Sequence, residues 1–150
     1  MTDPGPARDR LVGAGIVCLA LGVWASLWHF FASQSPSSPF HVGFLPGPVQ
    51  RFAFWALASG VLLPVLSGIL PRVVAPAAQA RFARWLLVAT ALKLAGLALG
   101  ACWSVYGVQI VDPRPKSVVV MTLRILGDAM LLVLMTRLAI AWLRTARQRS

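Results

Sequence analysis

The chain has 150 residues, 58% of them hydrophobic and only 12% charged, with a mean hydropathy of +0.75. A soluble domain carries about twice that charged fraction, so the solvent this composition fits is lipid. The formal charge of +10, from 14 Lys and Arg against four acids, would suggest nucleic acid if the cations shared one exposed face. Instead they gather at the ends of apolar runs, where the positive-inside rule and anionic headgroups account for them.

In chain order the apolar runs are 11–32, 52–70, 85–106 and 118–143. Each is long enough to cross a bilayer, for which roughly 20 apolar residues suffice. Arg8 and Arg10 precede the first run. Its apolar core is long, ends in the bulky stretch Trp24 to Phe31 and is followed by no small-x-small cleavage site, so a permanent span is expected rather than a signal peptide. An uncharged loop follows, 33–50, whose Phe40, Phe44 and Leu45 suit the lipid interface, a partner or the tops of the chain's own helices better than water. A basic loop, 71–84, joins the second and third runs. The sequence Asp112-Pro113-Arg114-Pro115-Lys116 before the fourth run predicts a turn, because closely spaced prolines oppose helix.

Arg8, Arg10, Arg72, Arg81, Arg84, Arg144, Arg147 and Arg149 would then share one side, against Arg51, Arg114 and Lys116 on the other. This places both termini and the middle loop in the cytoplasm. Trp28, Trp55, Trp103 and Tyr106 near the outer ends and Trp85 and Trp142 near the inner ends fit headgroup-level belts. The fold expected is an all-α, antiparallel four-helix transmembrane bundle forming one domain over 1–150. The preference for Arg, Ala, Gly and Pro is that of a GC-rich bacterial genome, hence a multi-pass protein of a bacterial inner membrane.

Small residues mark where helices approach closely. On the first span Ala14, Cys18, Gly22 and Ser26 recur every four residues, and on the second Ala56, Gly60, Pro64 and Gly68 do. Gly96 and Gly100 form a GxxxG pair on the third. Pro64, at mid-span, predicts a kink.

The costly residues are the charges inside the spans: Lys93, Arg124, Asp128 and Arg137. Each costs about 2.5 to 3.5 kcal/mol at the bilayer centre on the insertion scale, which makes such residues functional candidates. Arg137 lies near enough to the inner end to snorkel, and Arg124 lies similarly close to the outer end, whereas Lys93 and Asp128 are deeper. Lys93 precedes Gly96 by three residues and so shares its packed face, and it lies within reach of Asp128 in depth. Arg124 stands four residues before Asp128, the spacing at which helical side chains meet. A buried cluster of Lys93, Asp128 and Arg124 between the third and fourth spans is therefore expected. It reads either as a staple fixing helix register or as a proton relay or anion site.

Other chemistry finds few members. Cys18 and Cys102 would lie on the order of 20 Å apart in depth, too far for a bridge. His29 and His41 match no metal-ligand spacing and read as interfacial residues. There is no Glu, no paired carboxylate and no phosphate-binding glycine loop. No enzyme, cofactor or metal is expected. The stretch Val42-Gly43-Phe44-Leu45-Pro46-Gly47-Pro48, leading into an apolar helix, resembles the small four-helix subunit of tripartite tricarboxylate transporters, where a Gly, Phe and Pro-rich loop also precedes the second span. The basic C-terminal tail departs from that pattern, and no residue role is carried over.

Tiny extramembrane mass, small-residue faces and an apolar loop suit a non-catalytic subunit or accessory protein of a larger membrane complex. Its partners would be the lipid bilayer and other membrane subunits or itself, with no nucleic acid. The alternative is a small oligomeric transporter or channel moving a proton or anion past Lys93, Asp128 and Arg124.

Overall fold

The computed structural model describes residues 6–34, 46–106 and 114–147. These form four helices: α1 (Pro6–Gln34), α2 (Pro46–Val73), α3 (Pro76–Tyr106) and α4 (Arg114–Arg147). Each is long and apolar enough to span a membrane. With 28 to 34 residues and a rise of about 1.5 Å per residue, each helix is longer than a hydrocarbon core about 30 Å thick.

Helix therefore replaces much of what the sequence assigns to loops. The predicted basic loop 71–84 is helical except at Val74 and Ala75. The start of the predicted uncharged loop belongs to α1 and its end, 46–50, to α2. Of the predicted Pro-rich turn, Arg114, Pro115 and Lys116 belong to α4, a correction in the same sense, while Asp112 and Pro113 lie outside the described residues. The physical reason is positional. α1, α2 and α3 each open on a proline, and Pro115 lies in the first turn of α4. A proline there forfeits no hydrogen bond, since first-turn N–H groups have no intrahelical acceptor, and its fixed φ suits a helix.

The α2–α3 link is correspondingly tight. Val74 N–H donates to the Leu70 carbonyl (2.9 Å), Ala78 N–H donates to Ala75 (2.8 Å), and Gln79 Nε2 donates to the Val74 carbonyl (2.9 Å).

Packing is uneven around the molecule. α1 lies chiefly along α2, α4 along α3, and α2 joins the two pairs through α3, while α1 and α4 share at most a marginal contact. A continuous apolar cluster of Leu11, Cys18, Leu63, Leu66, Leu70, Ala83, Leu86, Ala89, Leu134 and Leu138 runs through the interior. In the apolar spans of α1, α2 and α3, 28 to 39% of residues are buried, against 11% in α4. α4 is thus covered along one narrow stripe.

Burial follows alternating steps of four and three. On α2 the buried positions are Val49, Ala53, Ala56, Gly60, Leu63, Ser67 and Leu70, with Leu66 beside them; on α1 they are Leu11, Gly15, Cys18, Gly22 and Ala25. A mean step of 3.5 is slightly below the 3.6 of a straight helix, which is the periodicity of left-handed helix packing.

The glycines show how close the backbones come. A methyl group built on Gly22 would lie 2.9 Å from the Leu57 backbone N, and one on Gly60 would lie 2.9 Å from the Leu19 backbone N. One on Gly15 would strike the Pro64 ring at 2.7 Å and the Gly60 carbonyl oxygen at 3.0 Å. That carbonyl has lost its usual i+4 donor to Pro64. Gly15 thus receives the proline ring, a role the every-four stripe on α1 passes over. Conversely Gly68, at the end of the predicted α2 stripe, faces open space. Pro64 stands within an unbroken α2.

Candidate functional site

The α3–α4 seam is set by two glycines facing in opposite directions. On Gly127 of α4 an added methyl would lie 2.8 Å from the Lys93 backbone N, 3.0 Å from its Cα and 3.0 Å from its Cβ. On Gly96 of α3 it would lie 2.8 Å from Arg124 Cγ, 3.1 Å from the Arg124 N and 3.2 Å from Leu123 Cβ. Gly100 is less constrained, with Val120 Cγ1 at 3.5 Å. The main chains therefore approach most closely at Lys93 and Gly127, next to Asp128.

Lys93 Nζ donates to Asp128 Oδ1 across this seam. The same ammonium stands 3.3 Å from the centroid of the Trp55 ring, on α2. Three helices thus meet at one cation, held by a carboxylate on one side and by the electron-rich face of an indole on the other. Trp55 is in turn edge-on to Phe54, with centroids 5.6 Å apart. The sequence assigns Trp55 to an interfacial belt; its place beside a buried lysine depends on α2 and α3 being neighbours, which no local pattern encodes.

The pair is asymmetric. The Lys93 side chain is 11% exposed, whereas that of Asp128 is 53% exposed. Lys93 is enclosed by the molecule, but the carboxylate emerges on the flank of α4 among Ile125 and Leu132, both exposed.

Arg124 does not complete the expected three-member cluster. Its half-buried side chain makes no ion pair with Asp128, although the two are one helical turn apart. Its stem lies against Gly96, and the residue lines a cavity of about 100 Å3 together with Pro48, Arg51, Leu97 and Gly100. The missing side chain at Gly96 draws the arginine across to α3 and away from its i+4 neighbour. Arg137 is exposed and borders an open groove with Arg144.

The remaining singled-out residues are dispersed. Cys18 is buried and Cys102 exposed, and both are free thiols. His29 is half-buried near the end of α1. Among the described residues no three His, Cys, Asp or Glu side chains converge as metal ligands would. His41, Phe40, Phe44 and Leu45 lie outside the described residues, as do Val42 and Gly43 of the stretch with the family resemblance.

Compared with known protein families, curated proteins and solved structures, the chain matches none, so the resemblance noted for 42–48 gains no support from that quarter.

Proposed function

We propose that the chain is a non-catalytic integral membrane subunit or accessory protein of a larger membrane complex. The observation that carries this reading is the half-exposed Asp128 on the uncovered flank of α4. Apolar flanks need only lipid, but a carboxylate with lone pairs facing hydrocarbon is unsatisfied there, since lipid tails offer no donors. A neighbouring helix bearing a hydroxyl, amide or cationic side chain would satisfy it and would also cover the narrowly packed α4.

Contacts between Gly15 and Pro64, Gly22 and Leu57, Lys93 and Gly127, and Gly100 and Val120 support antiparallel α1–α2 and α3–α4 hairpins. With the distribution of arginines, this favours a multi-pass protein of a bacterial inner membrane with both termini cytoplasmic. Within it, the Lys93–Asp128 pair acts as a staple that sets the α3–α4 register and presents Asp128 outward.

The test is gentle extraction of the untagged protein from its native membrane, with mass spectrometry of whatever travels with it. Stoichiometric companions that are lost in an Asp128→Asn variant are expected. A homo-oligomer that alone supports proton or anion flux, abolished by the same substitution, would overturn this reading in favour of a small transporter.

A further inference from the structure

The cavity beside Arg124 is distinct from the Lys93–Asp128 pair and uses different side chains. Its walls come from three helices: Pro48 and Arg51 near the start of α2, Gly96, Leu97 and Gly100 of α3, and Arg124 of α4. Two arginines from separate helices therefore border a space of about 100 Å3 whose remaining lining residues are proline, leucine and glycine. Among the described residues neither Arg51 nor Arg124 is in an ion pair. Asp128 is taken by Lys93, and Asp9 stands in the first turn of α1 and borders a separate pocket with Arg8 and Val12. Arg124 is half-buried, with its stem against Gly96.

We infer that this cavity is an anion-binding site for a phosphate group. Two planar guanidinium forks match the oxygens of a tetrahedral phosphate and can bind it bidentately, which single ammonium groups cannot do. An anion there offsets two positive charges that have no ion-pair partner among the described residues. The first turn of α2, which opens at Pro46, adds the positive end of its dipole, with N–H groups at Gly47 and Val49 alone because Pro46 and Pro48 have none. The space fits one oxyanion with a few waters and is too small for a nucleotide. The phosphate can belong to an anionic phospholipid headgroup or be free inorganic phosphate, since both present the same oxygens.

The test uses the purified full chain, stripped of lipid, in a phosphate-free maltoside detergent. Modification of each arginine by phenylglyoxal is followed by mass spectrometry with no addition, with inorganic phosphate, and with phosphatidylglycerol. Occupancy of the cavity is expected to slow modification of Arg51 and Arg124 together by about tenfold, as befits charge-assisted bonds, and to leave Arg137 unchanged. Protection by phosphatidylglycerol alone assigns the site to a lipid headgroup, and protection by inorganic phosphate assigns it to the free ion. In Arg51→Gln, an exposed position whose loss spares the packed seam, protection of Arg124 is expected to disappear. No protection by either addition, equal protection of Arg137, or undiminished protection of Arg124 in the variant would overturn the inference. None of these outcomes bears on whether the chain has protein partners.

Discussion

Lys93 makes sense only as part of a set. An ammonium enclosed by the molecule, with Asp128 and Trp55 as neighbours, is tolerable because it exchanges hydration for a charge-assisted bond and a cation–π contact. Removing one member of such a pair strands the other, whereas removing both leaves ordinary apolar surface. Asp128→Leu alone is therefore expected to destabilise the chain by about 3 kcal/mol in mixed-detergent unfolding, and Lys93→Met/Asp128→Leu to recover most of that loss. Equal stability of wild type and both variants would show that the pair holds nothing together. Trp55→Leu removes the ring face and should cost a smaller amount, about 1 kcal/mol, read in the same unfolding measurement.

At the scale of the helix, glycines that look alike in the sequence differ sharply in what they face. Gly60 meets the Leu19 side chain and, at 2.9 Å from the position of an added methyl, its backbone N; Gly68, two turns on, faces open space. Gly60→Ala should push α1 from α2 and cost about 1 to 3 kcal/mol, as overpacking does. Gly68→Ala should be neutral or should stabilise by up to about 1 kcal/mol, because alanine is the better helix former. Comparing the two unfolding midpoints checks this, and a loss at Gly68 as large as that at Gly60 would contradict the packing described. The pattern of steps explains why the sequence pointed to both. A repeat of four advances each successive residue about 40° around a 3.6-residue helix, so a stripe such as Ala56, Gly60, Pro64, Gly68 winds off the contact after a few turns. Alternating steps of four and three stay on it.

Across the whole molecule the helices are unequally covered, with α4 held along one stripe and only marginally in contact with α1. That openness is what makes the flank carrying Asp128 available to a neighbour. The proposed orientation has its own check: a fluorescent protein fused after Ser150 should fold and fluoresce in the bacterial cytoplasm, and alkaline phosphatase fused there should be inactive. The reverse result would place the termini outside and refute the charge-based orientation.

Composition and run length determined the number of spanning helices without any tertiary information, because crossing hydrocarbon demands a long apolar segment and each such segment is visible on its own. The charges within the spans were equally visible, since their cost depends on residue type and depth alone. Their partners were another matter. Arg124 and Asp128 are well spaced to meet on an isolated helix, yet Gly96 on the facing helix takes the arginine stem; Trp55 reads as a membrane anchor, yet α2 lies where its ring covers Lys93. Local spacing fixes what a residue can reach on its own helix. Which neighbour it touches, how exposed Asp128 remains, and that Arg51 and Arg124 border one cavity depend on how separate helices pack, and only the tertiary structure decides that.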